Sequence, residues 1–177
     1  MPRPASLSAA SVLSAPAAAR HPLRRLIGAC AAALAVSMPA HAAINVNKTF
    51  TPDAVAAGQP SKVTFYFLNN NIVDATSLAF VDALPTGMQV APVPNIVTTC
   101  GGTLTAVPGA TSVSFAGGTI PKAVNTTPGQ CDMSFDVVVP QPNVLINSVP
   151  AGEVTSSQGP NTQAAEATLN VTGLAPI

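Results

Sequence analysis

Two aspartates and a serine in Asp132-Met133-Ser134-Phe135-Asp136 form the densest set of groups in this chain that could do chemistry, because alternate residues of a strand share a face. Two carboxylates and a hydroxyl on one face could ligate Ca²⁺ if a loop supplied further oxygens, or act as the acid and base of a glycosidase. The surroundings favour neither use. No glycine-bearing loop folds back here, as Ca²⁺ sites usually require, and nothing predicts a sugar-stacking aromatic beside the pair. The expectation is a solvated strand face, with no metal and no cofactor. Other reactive side chains are the thiols of Cys30, Cys100 and Cys131, the imidazoles of His21 and His41, five further carboxylates, the Tyr66 phenol and seven cations.

Their distribution along the chain decides what they can do. All four arginines, Arg3, Arg20, Arg24 and Arg25, precede an uncharged apolar run from Leu26 to Met38, which Pro39-Ala40-His41-Ala42 closes. A basic segment, a short apolar core and a small-x-small exit are the marks of a secretory signal peptide, and the apolar run is too short for a stable membrane anchor. Cleavage is expected between Ala42 and Ala43, making residues 1–42 a leader. The Arg24-Arg25 pair matches a twin-arginine signal only loosely, so the general secretory route is expected. Cys30 stands before most of the apolar run rather than after it, and is read as a discarded leader residue rather than a lipidation site.

Removing the first 42 of 177 residues leaves 135, with no His, no Arg, no Trp and a single tyrosine, Tyr66. Ser-His-Asp and Cys-His catalysis and a His-ligated zinc are thereby excluded, and an enzyme would have to use paired carboxylates or a Ser-Lys dyad. Three lysines (Lys48, Lys62, Lys122) against seven acids give a formal charge of −4, which argues against nucleic-acid binding. Cys100 and Cys131 are an even pair in an exported chain, and their leading reading is an intramolecular disulfide; they lack the C-x-x-C spacing or neighbouring base of a redox pair. Closing a loop of about 30 residues should stabilise the fold by roughly 3 to 4 kcal/mol.

The elements that must position these residues are strands. Of the whole chain, 47% is hydrophobic and 8% charged, with 18 Pro and 12 Gly, a composition of short strands and turns. Val63, Phe65 and Phe67 alternate with Lys62, Thr64 and Tyr66; Cys131 to Val139 alternates with Asp132, Ser134 and Asp136; Ala165 to Val171 repeats the pattern. Further strands are expected at Ile44 to Phe50, Leu78 to Ala83, Met88 to Ala91, Ile96 to Cys100, Thr103 to Val107, Thr111 to Phe115 and Glu153 to Ser156, separated by turn formers such as Asn69-Asn70-Asn71, Pro85-Thr86-Gly87 and Pro140-Gln141-Pro142. No segment has the pattern of an amphipathic helix. The fold class is all-β, an immunoglobulin-like antiparallel β-sandwich of about seven to nine strands over residues 43–172, followed by a linker-like tail, 173–177.

Several clusters carry a family likeness: Lys48-Thr49-Phe50-Thr51-Pro52, Asp82-Ala83-Leu84-Pro85-Thr86-Gly87-Met88, Cys100-Gly101-Gly102-Thr103-Leu104, Phe115-Ala116-Gly117-Gly118-Thr119-Ile120-Pro121 and Ala167-Thr168-Leu169-Asn170-Val171. From about Ile44 to Val171 the chain resembles the bacterial extracellular repeat domains known as domain of unknown function eleven. The resemblance implies an immunoglobulin-like sandwich, a Cys100 to Cys131 bridge and a place on the envelope or outside the cell, and it implies no activity. Those domains usually occur in tandem, whereas one copy is present here. On physical grounds Asp82 is read as the cap of the turn that Pro85 begins and Gly87 closes.

Lys48 lies in the first expected strand. Some immunoglobulin-like surface domains link such a lysine to a late-strand asparagine through an isopeptide bond promoted by a buried acid, and Asn147 and Asn170 would be the acceptors here. The plainer reading is a lysine whose stem packs while its ammonium reaches water. The expected function is that of a non-enzymatic exported module in adhesion or envelope structure, with a protein or glycan surface partner. The alternatives are a subunit of a larger assembly joined by strand addition at Ile44 to Phe50 or Ala165 to Val171, with self-association, and a secreted hydrolase using Asp132 and Asp136. No transmembrane segment is expected in the mature chain.

Overall fold

The computed structural model describes residues 43–173; the expected leader with Cys30 and Ala42, and residues 174–177 of the tail, lie outside the described residues. Among the described residues there are eleven strands and no helix. Seven are long: β1 (Asn45–Thr51), β3 (Pro60–Asn69), β4 (Ala75–Ala83), β8 (Ser112–Ile120), β9 (Gly129–Val138), β10 (Asn143–Val149) and β11 (Ala165–Thr172). The short ones are β2 (Ala54–Ala56), β5 (Gln89–Val90), β6 (Val97–Thr98) and β7 (Thr103–Thr105).

The alternation read in the sequence builds one layer of the sandwich. β1, β3 and β9 pair antiparallel in that order, in a register that sets Lys48 opposite Phe65 and Phe65 opposite Met133. One face of this sheet carries Val46, Phe50, Val63, Phe65, Phe67, Met133, Phe135 and Val137, all buried. The second layer is formed by β10–β11–β2 and by β4–β8–β7, with β4 lying beside β10 and bridged to the loop that follows it through Ala79 and Thr155. The chain changes layers at Thr51-Pro52-Asp53: β1 pairs with β3, and β2 then runs parallel to the end of β11. The turn is held from outside by Ser61, whose buried hydroxyl donates to Pro52 O at 2.6 Å.

Rings from both layers meet in the middle. Phe80 of β4 lies 4.8 Å from Phe65, 5.9 Å from Phe67 and 6.0 Å from Phe115, so a single side chain stacks the second layer on the first. At one end of the core Cys131 of β9 is bonded to Cys100, which precedes β7. The Cys-Gly-Gly element fits there for a steric reason. Gly102 has φ +68°, and a Cβ on it would stand 2.6 Å from Ala116 O and 2.7 Å from Gly118 N, so the segment can lie against 116–118 only with glycine at this position.

Three expectations are corrected. Glu153 to Ser156 is not a strand: Thr155 makes one bridge to Ala79, and the segment is a turn whose Gly152 and Val154 amides are capped by the Asn161 side chain. β10 and β2 were not expected. Val144-Leu145-Ile146 is apolar at both parities, with Val144 and Ile146 exposed, so β10 shows no alternation to find. The third concerns β9, whose outer face is covered rather than solvated. β5 and β6 pair with its second half, and Asp136 N donates to Pro94 O while Ala91 N donates to Asp136 O. Phe80→Ala should lower stability by about 3 to 5 kcal/mol, the usual cost of emptying a buried aromatic site; urea denaturation followed by far-UV circular dichroism measures it.

Candidate functional site

Three inward-facing positions break the apolar pattern of their strands. In β1 the inward residues are Val46, Lys48 and Phe50, in β4 they include Leu78, Phe80 and Asp82, and in β10 they are Leu145, Asn147 and Val149. Strand geometry gives those side chains no route to water, since alternate residues must point into the sandwich. The three polar groups therefore satisfy one another. Lys48 Nζ donates to Asp82 Oδ1 at 2.8 Å, and Asn147 Nδ2 donates to Asp82 Oδ2 at 2.9 Å. The Lys48 and Asp82 side chains are completely buried, as is Asn147.

One carboxylate thus receives a cation on one oxygen and an amide on the other. Lys48 Nζ also lies 4.7 Å from the centroid of Phe65, so the ammonium has one carboxylate oxygen and a ring face for its three protons. Asn147 Oδ1 is buried and accepts no hydrogen bond. Burial lowers the Lys48 pKa from 10.5 to about 8, with the charge of Asp82 and its hydrogen bond opposing the shift. The amine is accordingly brought within reach of the neutral form in which it is a nucleophile.

The sequence reading of Asp82 as a turn cap is overturned: the turn closes through Met88 N donating to Pro85 O, and the Asp82 carboxylate points into the core. The reading of Lys48 as a stem with a wet ammonium fails for the same reason of strand parity. Of the two asparagines considered beside Lys48, Asn147 shares the cluster through Asp82, whereas Asn170 is exposed on β11. The parity argument could have found Lys48 and Asp82, because each is the one inward polar residue in its run; Asn147 lies on β10, whose apolar residues occupy both parities and give no such signal.

Asp132 and Asp136 do not form a site together. Asp132 accepts from the Thr99 hydroxyl at 2.9 Å, and Asp136 accepts from Asn95 Nδ2 at 2.6 Å, so each ties the covering segment 89–100 to β9. Among the described residues no group of three or more His, Cys, Asp or Glu is arranged to hold a metal ion. None of their helices could cross a membrane, since they contain none.

The fold and this cluster define a β-sandwich domain closed by one disulfide, with an ion pair and an amide sealed between its layers. The chain belongs to the family described as Domain of unknown function (DUF7933), whose model matches residues 45–171. No curated protein matches it. Solved structures of similar fold include a bacterial hydrophobin, BslA, at 14% identity and TM-score 0.48, covering 77% of this chain and 98% of that one. A non-cellulosomal cohesin from Archaeoglobus fulgidus is 10% identical with TM-score 0.45, covering 74% and 92%. The major pilin SpaD from Corynebacterium diphtheriae is 14% identical with TM-score 0.45; 72% of this chain matches 33% of the pilin.

With Lys48 a free amine, Asp82→Asn should destabilise the domain by about 3 to 5 kcal/mol near pH 7, because it leaves the Lys48 charge buried without a counter-ion. The folded-state pKa of Lys48 lies below its unfolded value, so the unfolded chain holds the extra proton and stability rises with pH from about 8 toward 10.5. Because Asp82 holds the Lys48 pKa up, the variant sheds the Lys48 proton at lower pH than the wild type, so its deficit should be largest at low pH, shrink as pH rises toward about 8 and stay constant above it. Urea midpoints of both proteins measured from about pH 5.5 to pH 10.5 test the size and the sign.

Proposed function

We propose that this chain is an exported, non-enzymatic module that works at the cell surface or in the envelope, in adhesion or in the structure of a larger assembly. The Cys100–Cys131 disulfide carries this reading, since such bonds form and persist in oxidising compartments. The leader-like residues 1–42 agree with it, and the described residues hold neither histidine nor arginine from which a common catalytic set could be built. The family description assigns no activity. The Cys-Gly-Gly element and the Asp-x-Leu-Pro-x-Gly turn further support kinship with domain of unknown function eleven.

A protein or glycan is the partner class this surface suits, because Asn, Thr and Ser dominate its exposed strand positions while cations are few. Assembly by strand addition is the second reading, and β1 favours it. Within the described residues β1 has a ladder partner on one side only, β3, with Asn45, Asn47 and Thr49 exposed. In Ala165 to Val171 the end is occupied, because β2 pairs with Asn170–Thr172, while Ala165 to Leu169 has a ladder partner on one side only, β10.

Fractionation of the native host with intact-mass analysis tests the proposal. The expected species begins at Ala43, carries the disulfide and is recovered from envelope or medium; a cytosolic chain with both thiols free overturns it. Light scattering across a concentration series separates the two readings, with oligomers expected only if β1 or the first part of β11 accepts a neighbouring strand. Replacing Cys100 and Cys131 together by serine should cost roughly 3 to 4 kcal/mol of stability and leave the purified protein folded.

A further inference from the structure

A permanently buried lysine and aspartate are a poor way to hold two layers together. Desolvating both ions offsets most of their attraction, and apolar side chains of the same volume commonly do as well or better. Here the arrangement carries two further deficits: the ammonium has more protons than acceptors, and the Asn147 carbonyl oxygen is orphaned in the core. Stability alone does not account for a cluster built this way. Its chemistry does.

The parts match those of an amide exchange. Lys48 supplies an amine, Asn147 a carboxamide whose nitrogen can leave, and Asp82 one oxygen against each nitrogen, at 2.8 and 2.9 Å. Phe65 and the surrounding core exclude the water that would otherwise compete for the carbonyl carbon. We propose that the folded chain joins Lys48 Nζ to Asn147 Cγ in an intramolecular amide bond, with Asp82 as the proton relay and ammonia as the leaving group.

The step balances within the cluster. Asp82 Oδ1 takes one proton from the Lys48 ammonium, which leaves a neutral amine facing a neutral acid. The Nζ lone pair attacks Asn147 Cγ, and the carbonyl π pair moves onto Oδ1. Asp82 protonates Nδ2 while the Nζ of the adduct returns a proton to the carboxylate. The Cγ–Nδ2 bond then breaks, its electron pair leaves with ammonia, and the carbonyl re-forms. No oxidant, metal or cofactor is needed. Asp82 ends as a carboxylic acid that can donate a hydrogen bond to the former Asn147 Oδ1, which gives the orphaned oxygen a partner in the product. Lowering of the Lys48 pKa to about 8 favours the first transfer.

The bond would run from the first long strand to the next-to-last and tie the two layers covalently. It requires only the fold, so its presence is read independently of where the module works. The experiment is the non-reducing intact mass of the purified full chain, followed by digestion and tandem mass spectrometry. The expected result is a mass lower by one ammonia beyond the disulfide's two hydrogens, with Lys48 and Asn147 in one cross-linked peptide. Full mass with the two residues in separate linear peptides overturns the proposal, as does an ammonia loss that maps to another asparagine. Lys48→Met keeps the stem and removes the nucleophile, and Asp82→Asn keeps the shape and removes the relay. Both should retain the ammonia, and a cross-link persisting in Asp82→Asn refutes the role of Asp82. Asn147→Asp that becomes linked should lose water in place of ammonia. Because the wild-type peptide map is decisive by itself, failure of any variant to fold leaves the test intact.

Discussion

A carboxylate cut off from water must find its hydrogen-bond donors inside the protein, and Asp82 finds one on each side of the sandwich. Lys48 comes from β1 in one layer and Asn147 from β10 in the other, while Asp82 itself stands on β4 beside β10. The relation fixes how β1 may slide against the second layer. A shift of one residue would turn Lys48 outward and leave Asp82 as an uncompensated buried charge, a loss that is a large share of the stability of a small domain. Apolar packing alone is more forgiving, because the rings of Phe65, Phe67 and Phe80 could re-pack in neighbouring registers. The polar cluster specifies the alignment, and the aromatic core then fills it.

The same logic explains the second feature that crosses between segments. The segment 89–100 has only four residues in strands, yet its path over β9 is set at both ends: by main-chain hydrogen bonds from Ala91 and to Pro94, by the Asn95 and Thr99 contacts to Asp136 and Asp132, and by the Cys100–Cys131 bond. The aspartates that look most reactive in the sequence are fastenings for this cover. Their hydrogen bonds replace the water that an exposed strand face would have had.

Strand alternation makes most of the long elements legible, and with them the all-β class and the inner face of the β1–β3–β9 sheet, while the even cysteine pair makes the disulfide legible. Where the pattern was lost, a physical cause can be named. β10 is apolar at both parities because Val144 and Ile146 face outward, which hid the strand that carries Asn147. Asp82 precedes a Pro-x-Gly turn, and local turn chemistry offered it a simpler role than a partner 34 residues away in the chain. Lys48 reads as a lysine in a strand, and its parity with Val46 and Phe50 is the stronger signal. Covering of β9 by 89–100 is a tertiary event that no period within β9 reports.

The direction of the chain through the domain has a mechanical meaning. β1 begins beside Leu68 at one pole of the sandwich, and β11 finishes beside Ala56 and Ala57 at the other, a ten-residue strand away or about 33 Å at the usual rise. Tension applied to the two flanking segments would therefore pull β1 and β11 lengthwise in opposite directions. Lengthwise pulling stretches all the hydrogen bonds of a ladder at once, whereas peeling breaks them one after another. A domain threaded in this way behaves as a link in a cable, and Lys48 and Asn147 stand where a tie would carry the strain past everything folded between them.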